Sequence, residues 1–227
     1  MGNIFSIFDP QISGMSLNWV WVIIMLVFLP PVFWVSVGAS VFMFGSLLKV
    51  LNDDFSVVLG KTLTPGISYM LVSVFIFIVV INLGGLLPYV FAVSSHLAFT
   101  LGSALSMWLG INVYGGVKHS LSYLSHFVPL GTPVLLMPLM VVIEMVSAVI
   151  RPVTLSVRLM ANMVAGHLLL HLIGGAVWGS GAMIVGPMLG GLLMMCLEVA
   201  VACIQAYVYS MLLMLYVSEV SSWSVQV

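Results

Sequence analysis

Residues 133–173 read PVLLMPLMVVIEMVSAVIRPVTLSVRLMANMVAGHLLLHLI, and residues 182–217 read AMIVGPMLGGLLMMCLEVAVACIQAYVYSMLLMLYV. Each run is apolar for far longer than the roughly 20 residues that cross a bilayer. The apolar residues are continuous rather than alternating, which fits helices and not the strands of a barrel. At about 1.5 Å per residue, helices of this length extend about 50–60 Å. The hydrocarbon core is only about 30 Å thick. Such helices must kink, tilt steeply or lie almost along the membrane. Pro138 and Pro152 fall inside the first run. Between the runs, residues 174–181 (GGAVWGSG) predict a turn. The last third of the chain therefore predicts a long antiparallel helical hairpin.

The rest of the chain has the same character. Of its 227 residues, 63% are apolar and only 5% are charged. A soluble domain carries roughly a quarter charged residues, so the solvent of this chain must be lipid. The net charge of -1 and the lack of a basic patch give no footing for nucleic acid. Residues 17–44 form an apolar run interrupted by Pro30 and Pro31, long enough to span even with a kink. Residues 45–66 hold Lys49, Asn52, Asp53, Asp54 and Lys61 and read as a helix at the membrane surface. Residues 67–89 and 97–113 are two further spans. Residues 114–132 are more polar, with Lys118, His119 and His126. The expected architecture is an all-α membrane protein of about six helices, ending in a pair of long, strongly tilted antiparallel helices. It forms one membrane domain over 1–227. Residues 1–132 give the outer span, surface helix and helical pair, and 133–227 give the hairpin.

The start of the chain lacks a basic segment, so no cleaved signal peptide is expected. Residues 1–6 match a myristoylation pattern, which a chain with several spans does not need. Cys196 and Cys203 lie seven apart on one helix, about 10 Å along its axis. They are too far apart for a disulfide and read as small apolar fillers. Lys49, Lys61 and Lys118 lie in loops separated by two spans, so all three face one side. The positive-inside rule makes that side the cytoplasm or its matrix equivalent. The hairpin then starts inside, turns outside and returns inside.

The hairpin holds Glu144, Arg151, Arg158, His167, His171 and Glu198. An ionised group at bilayer depth costs roughly 2.5–3.5 kcal/mol on insertion scales and about 10–17 in simulations. A chain this sparing with charge places them there for an ion path. With the hairpin folded about its turn, positions whose numbers sum to about 364 lie level. Arg158 then meets Gln205, His167 meets Glu198, and Glu144 meets Glu219. Two polar levels are thus separated by a fixed positive charge. At about 100° per residue, Asn162 shares a face with Arg158, while His167 and His171 lie on the other side.

The stretch 156–174 (SVRLMANMVAGHLLLHLIG) resembles the signature of ATP synthase subunit a. So do 197–209 (LEVAVACIQAYVY), 82–88 (NLGGLLP), and Glu144 placed fourteen residues before Arg158. The likeness covers most of the chain and is strongest from 130 to 217. It implies proton translocation through two offset half-channels that couple proton flow to ATP synthesis, in a subunit without a catalytic centre or cofactor of its own. Arg158 would face the carboxylate of the rotating c-ring, promote proton release and block a direct leak. Asn162 and Gln205 would assist it. His167, His171 and Glu198 would line the outer half-channel, and Glu144 with Glu219 the inner one. Implied partners are the c-ring, peripheral-stalk and other Fo subunits, and membrane lipid, with one copy per complex. The order of histidine and acid at 167 and 198 resembles the mitochondrial form and implies the mitochondrial inner membrane; the alternative is a bacterial plasma membrane.

Blander readings exist for several of these residues. Arg151 suits support of headgroups or a neighbouring carboxylate. Tyr207 and Tyr209 suit packing, and Gly186 with Gly190 suits close helix approach. Glu219 suits a solvated terminal charge, and His96, His119 and His126 suit loop surfaces. Two rival functions are weaker. His167 and His171 have the spacing of a zinc pair, but Leu168 stands where a metalloprotease helix needs glutamate, and no metal is expected. A secondary transporter should show inverted repeats, and none is visible. No phosphate-binding glycine loop is present.

Overall fold

The computed structural model describes residues 8–11, 16–27, 38–60, 65–88, 90–118, 128, 133, 136–179 and 185–222. Among them every regular element is helical. A 3-10 turn at Leu17–Trp19 leads into α1 (Val20–Val27), and α2 (Ala39–Leu59) and α3 (Pro65–Gly85) follow. A second 3-10 turn at Val93–Ser95 precedes α4 (Leu97–Lys118). The chain ends in α5 (Met137–Gly179) and α6 (Val185–Ser222). Among the described residues four helices, α3 to α6, are long and apolar enough to cross a membrane.

Three boundaries differ from the sequence expectation. The single run expected over 17–44 is divided, since residues 39–44 belong to α2. Gly38, in extended backbone, stands at the start of α2 and separates those residues from α1. Pro30, Pro31, Lys61, His119 and His126 lie outside the described residues. Second, α4 continues through Tyr114 to Lys118, beyond the expected end at 113. Lys118 sits in the last turn, where a cation suits the helix dipole. Its Nζ donates to the Tyr114 hydroxyl at 2.8 Å and lies 5.1 Å from that ring.

Third, α5 runs through Gly174 and Gly175, where a turn was expected. Glycine disfavours a helix by about 1 kcal/mol. An unsatisfied backbone group in hydrocarbon costs several. The helical bonds win, and the helix stays closed to Gly179. With 43 and 38 residues, α5 and α6 extend about 64 and 57 Å, about twice the hydrocarbon thickness. Pro138 is harmless in the first turn of α5, where its missing N–H has no helical partner. Pro152 lies in the interior and is fully buried.

Hydroxyls inside the hairpin bond back to their own helix. Ser147 donates to the Glu144 carbonyl, Ser156 to Val153, and Ser210 to Tyr207, all at 2.8–2.9 Å. This satisfies polar side chains without water. It lets Ser156 and Ser210 be fully buried.

The main core joins five helices. Phe55 and Leu59 of α2 and Leu71, Val74 and Ile78 of α3 meet Ala104 of α4. Leu155 and Leu159 of α5 and Tyr209, Leu213 and Met214 of α6 complete it. A second cluster packs Ile81, Phe91 and Val93 against Trp19, Trp21 and Phe99. His96 belongs to this corner and not to the exposed loop expected of it. Its ring lies 5.0 Å from Phe91 and 5.5 Å from Trp19. The outward faces of α5 and α6 carry exposed Val142, Ile150, Leu172, Leu189, Leu193 and Ile204. Such faces suit lipid or partner helices.

Candidate functional site

The antiparallel packing of α5 and α6 brings defined levels together. Gly166 meets Glu198, and Ile173 lies against Gly191. These are the pairings produced by folding the hairpin about its turn. Between them and the open end, Leu159, Asn162 and Met163 of α5 and Val201, Ala202 and Gln205 of α6 line a small cleft. Glu198 and Asn82 of α3 close it. Its volume is about 10 Å³, on the order of a single water site.

The polar groups of this cleft are deeply placed. Glu198 is 7% exposed and Asn82 is 1% exposed. Both carboxylate oxygens of Glu198 and both amide atoms of Asn82 are buried without a hydrogen-bond partner among the described residues. A buried polar group without a partner costs roughly 1–3 kcal/mol on mutational scales. Four such atoms around one water-sized space make a cleft that calls for water. Met163 and Ala202 of its lining also pack in a buried apolar cluster with Leu86, Leu83 and Met195.

His167 follows Gly166, so its backbone is one residue from the contact with Glu198. The ring is half-buried, its Nε2 is buried without a hydrogen-bond partner among the described residues, and Phe8 meets it edge-on at 6.4 Å. His171 is exposed and does not line the cleft. Among the described residues no three histidine, cysteine, aspartate or glutamate side chains converge. His167 and His171 therefore lack a third ligand there.

A second polar level lies towards the open end. Arg151 reaches Glu219 at 3.0 Å and Glu144 at 3.7 Å. Its guanidinium also lies 5.6 Å from the Tyr216 ring, a cation–π contact. The three charged side chains are 35–45% exposed. The basic residue assigned to support thus bridges the two acids assigned to the inner path.

Arg158 lies between the two levels, seven residues from Arg151 and eight from Gly166. That is about 11–12 Å along α5 in each direction. It is exposed, while its neighbours Leu155 and Leu159 are buried. Among the described residues Arg158 forms no ion pair. Asn162, one turn further, is half-buried and turns into the cleft.

Of the sequence candidates, Asn162, Gln205 and Glu198 share the cleft, and Glu144 and Glu219 share Arg151. Arg158 is exposed and joins neither group, and His171 joins neither as well. Two residues were missed by sequence reasoning. Asn82 was noticed only within a resembling stretch. Its signal was an amide in the middle of an apolar span. Gly166 carried no signal beyond its place beside His167.

Over residues 15–218 the chain matches the family described as ATP synthase A chain. It is 42% identical over 223 residues to ATP synthase subunit a of Drosophila melanogaster, covering 97% of this chain and 100% of that protein. The same subunit of Aedes albopictus is 43% identical over 225 residues, covering 97% and 100%. That of Artemia franciscana is 41% identical over 220 residues, covering 96% and 100%. With a membrane hairpin of this form and a match over nearly its whole length, the chain belongs to the ATP synthase A chain family, the a subunits of F-type ATP synthases.

Proposed function

We propose that the chain carries protons through two offset half-paths that meet the rotating c-ring at Arg158. As a family member it is the multi-pass proton-channel subunit of the Fo complex, a non-catalytic part of the ATP synthase. The observation that carries the finer reading is the position of Arg158. It is an exposed cation without an ion-pair partner among the described residues, midway between two acidic levels.

In this reading the outer half-path runs past His167 and Glu198 to the cleft of Asn82, Asn162 and Gln205. An imidazole can take up a proton on one ring nitrogen and release one from the other, which suits relay at the mouth of that path, with His171 one turn beyond. The inner half-path runs past Glu144 and Glu219. A proton enters by the outer path, passes to a ring carboxylate, rides the ring nearly a full turn and leaves by the inner path. Arg158 faces the ring carboxylate, favours its ionised form and blocks a direct leak between the half-paths. The driving force is electrical in part, roughly 2.3 kcal/mol per charge per 100 mV. The peripheral stalk holds one such subunit per complex against the ring, with lipid on the remaining apolar surface. The similar animal proteins favour the mitochondrial inner membrane over a bacterial plasma membrane.

The test compares wild type with Arg158→Ala in vesicles holding the whole complex. ATP-driven acidification is expected to vanish while the complex still assembles, and passive proton leak is expected to rise. Unchanged pumping and leak in the assembled variant would sink the proton-path reading.

A further inference from the structure

We infer that Gly166 is a positioning residue of the proton path, its missing side chain forming the recess that seats the Glu198 carboxylate against α5. The inference rests on the reading of Glu198 as a proton-path acid. A Cβ built on Gly166 would collide with Oε1 of Glu198, lie 2.7 Å from its carboxyl carbon and lie 3.0 Å from its Cγ. Real Cβ atoms essentially never show approaches under 3.0 Å. Cγ at 3.0 Å would be a tight contact, and the two closer atoms form the end of the Glu198 side chain, so the room that end has to shift decides the cost.

Other described glycines of the hairpin behave differently. Gly174, Gly175, Gly186 and Gly190 face open space, and Gly191 would make only an ordinary contact with Ile173. A glycine inside a helix is conformationally costly relative to alanine. At position 166 that cost has a specific return in geometry.

The surroundings limit how Glu198 could adapt. It is buried, and Met163 and Ala202 beside it are buried too. The adjoining cleft has room for about one water. A methyl group at position 166 would drive the carboxylate into that space and move the acid relative to Asn82, Asn162 and Gln205. Aspartate at 198 is one methylene shorter and would withdraw from the same collision. Steric matching between positions 166 and 198 is therefore the testable content.

ATP-driven acidification in vesicles holding the whole complex would be measured for Gly166→Ala, Glu198→Asp, the pair of substitutions together, and Glu198→Ala. Gly166→Ala is expected to lower the pumping rate by about tenfold or more, the scale of a displaced reacting group. The paired variant is expected to pump faster than Gly166→Ala alone. If Gly166→Ala fails to assemble, recovery of an assembled, pumping complex in the paired variant supports the match equally. A wild-type rate in Gly166→Ala, or a paired variant no better than it, overturns the inference. If Glu198→Ala itself pumps normally, the proton-path role of Glu198 falls and the inference falls with it. If Glu198→Ala is inactive and Gly166→Ala is normal, only the positioning role falls.

Discussion

Glutamate appears at two levels of the same hairpin in opposite circumstances. Glu198 is 7% exposed, with neither oxygen hydrogen-bonded among the described residues and amide side chains around the same cleft. Glu144 and Glu219 are more than a third exposed, and both lie against Arg151. One level answers the cost of a buried acid with a recess and room for water. The other leaves its acids partly exposed and sets a cation against them. Buried polar groups are tolerated only when something compensates them, and the two solutions have different consequences for transport. A recess with room for water can exchange a proton through what enters it. An ion pair holds its charges in place. The contrast predicts that the two levels respond to mutation with different strength.

Of the two levels, the larger effect is expected at Glu198. Glu198→Gln keeps the volume of the side chain and removes the ionisable group. ATP-driven acidification should fall by roughly a hundredfold, the lower range for loss of a positioned acid–base group, with assembly unchanged. At the other level, Glu144→Gln leaves Arg151 its contact with Glu219. The expected loss is smaller, about threefold to tenfold. Equal losses at the two positions would break the comparison. A greater loss at Glu144 would reverse it, making the paired level the more demanding part of the path. Unchanged flux in Glu144→Gln across the pH range would remove that residue from the path.

How much of this was legible in the chain varies with the kind of information. The hairpin was legible because apolar length is a one-dimensional signal and the bilayer sets a ruler for it. Level pairing was legible too, because two straight antiparallel helices are related by a single sum of positions. That relation matches the contact of Gly166 with Glu198. The end of α5 was misjudged because glycine signals a turn in water, whereas in lipid the closed backbone outweighs it. His96 was misplaced because a histidine between two spans says nothing about the aromatic rings that fold over it. Asn82 was passed over because it comes from a separate helix, and no pairing of α5 with α6 points to α3. Gly166 was invisible for a related reason. Its role depends on what another helix inserts, and glycine has no side chain from which to argue.

The smallest effect is expected at Arg151. With all three side chains more than a third exposed, the ion pairs resemble surface pairs, worth about 0–1 kcal/mol each. Arg151→Gln should therefore leave the thermal stability of the assembled complex within a few degrees, about the shift that 1 kcal/mol gives in a domain of this size. The effect on transport has a different origin. Without the guanidinium, Glu144 and Glu219 face each other across the space it occupied, and like charges there repel. Pumping should fall by about twofold to threefold, the size of a screened interaction of under 1 kcal/mol. Arg151→Lys keeps a cation but loses the fork that reaches two carboxylates at once, so it should recover only part of the loss. Added salt should narrow the gap between Arg151→Gln and wild type, because an exposed interaction is screened. A loss at Arg151 as large as that at Glu198, insensitive to salt, would mean that the cation is itself part of the path. The paired level would then be no less demanding than the unpaired one, and exposure would be a poor guide to function in this hairpin.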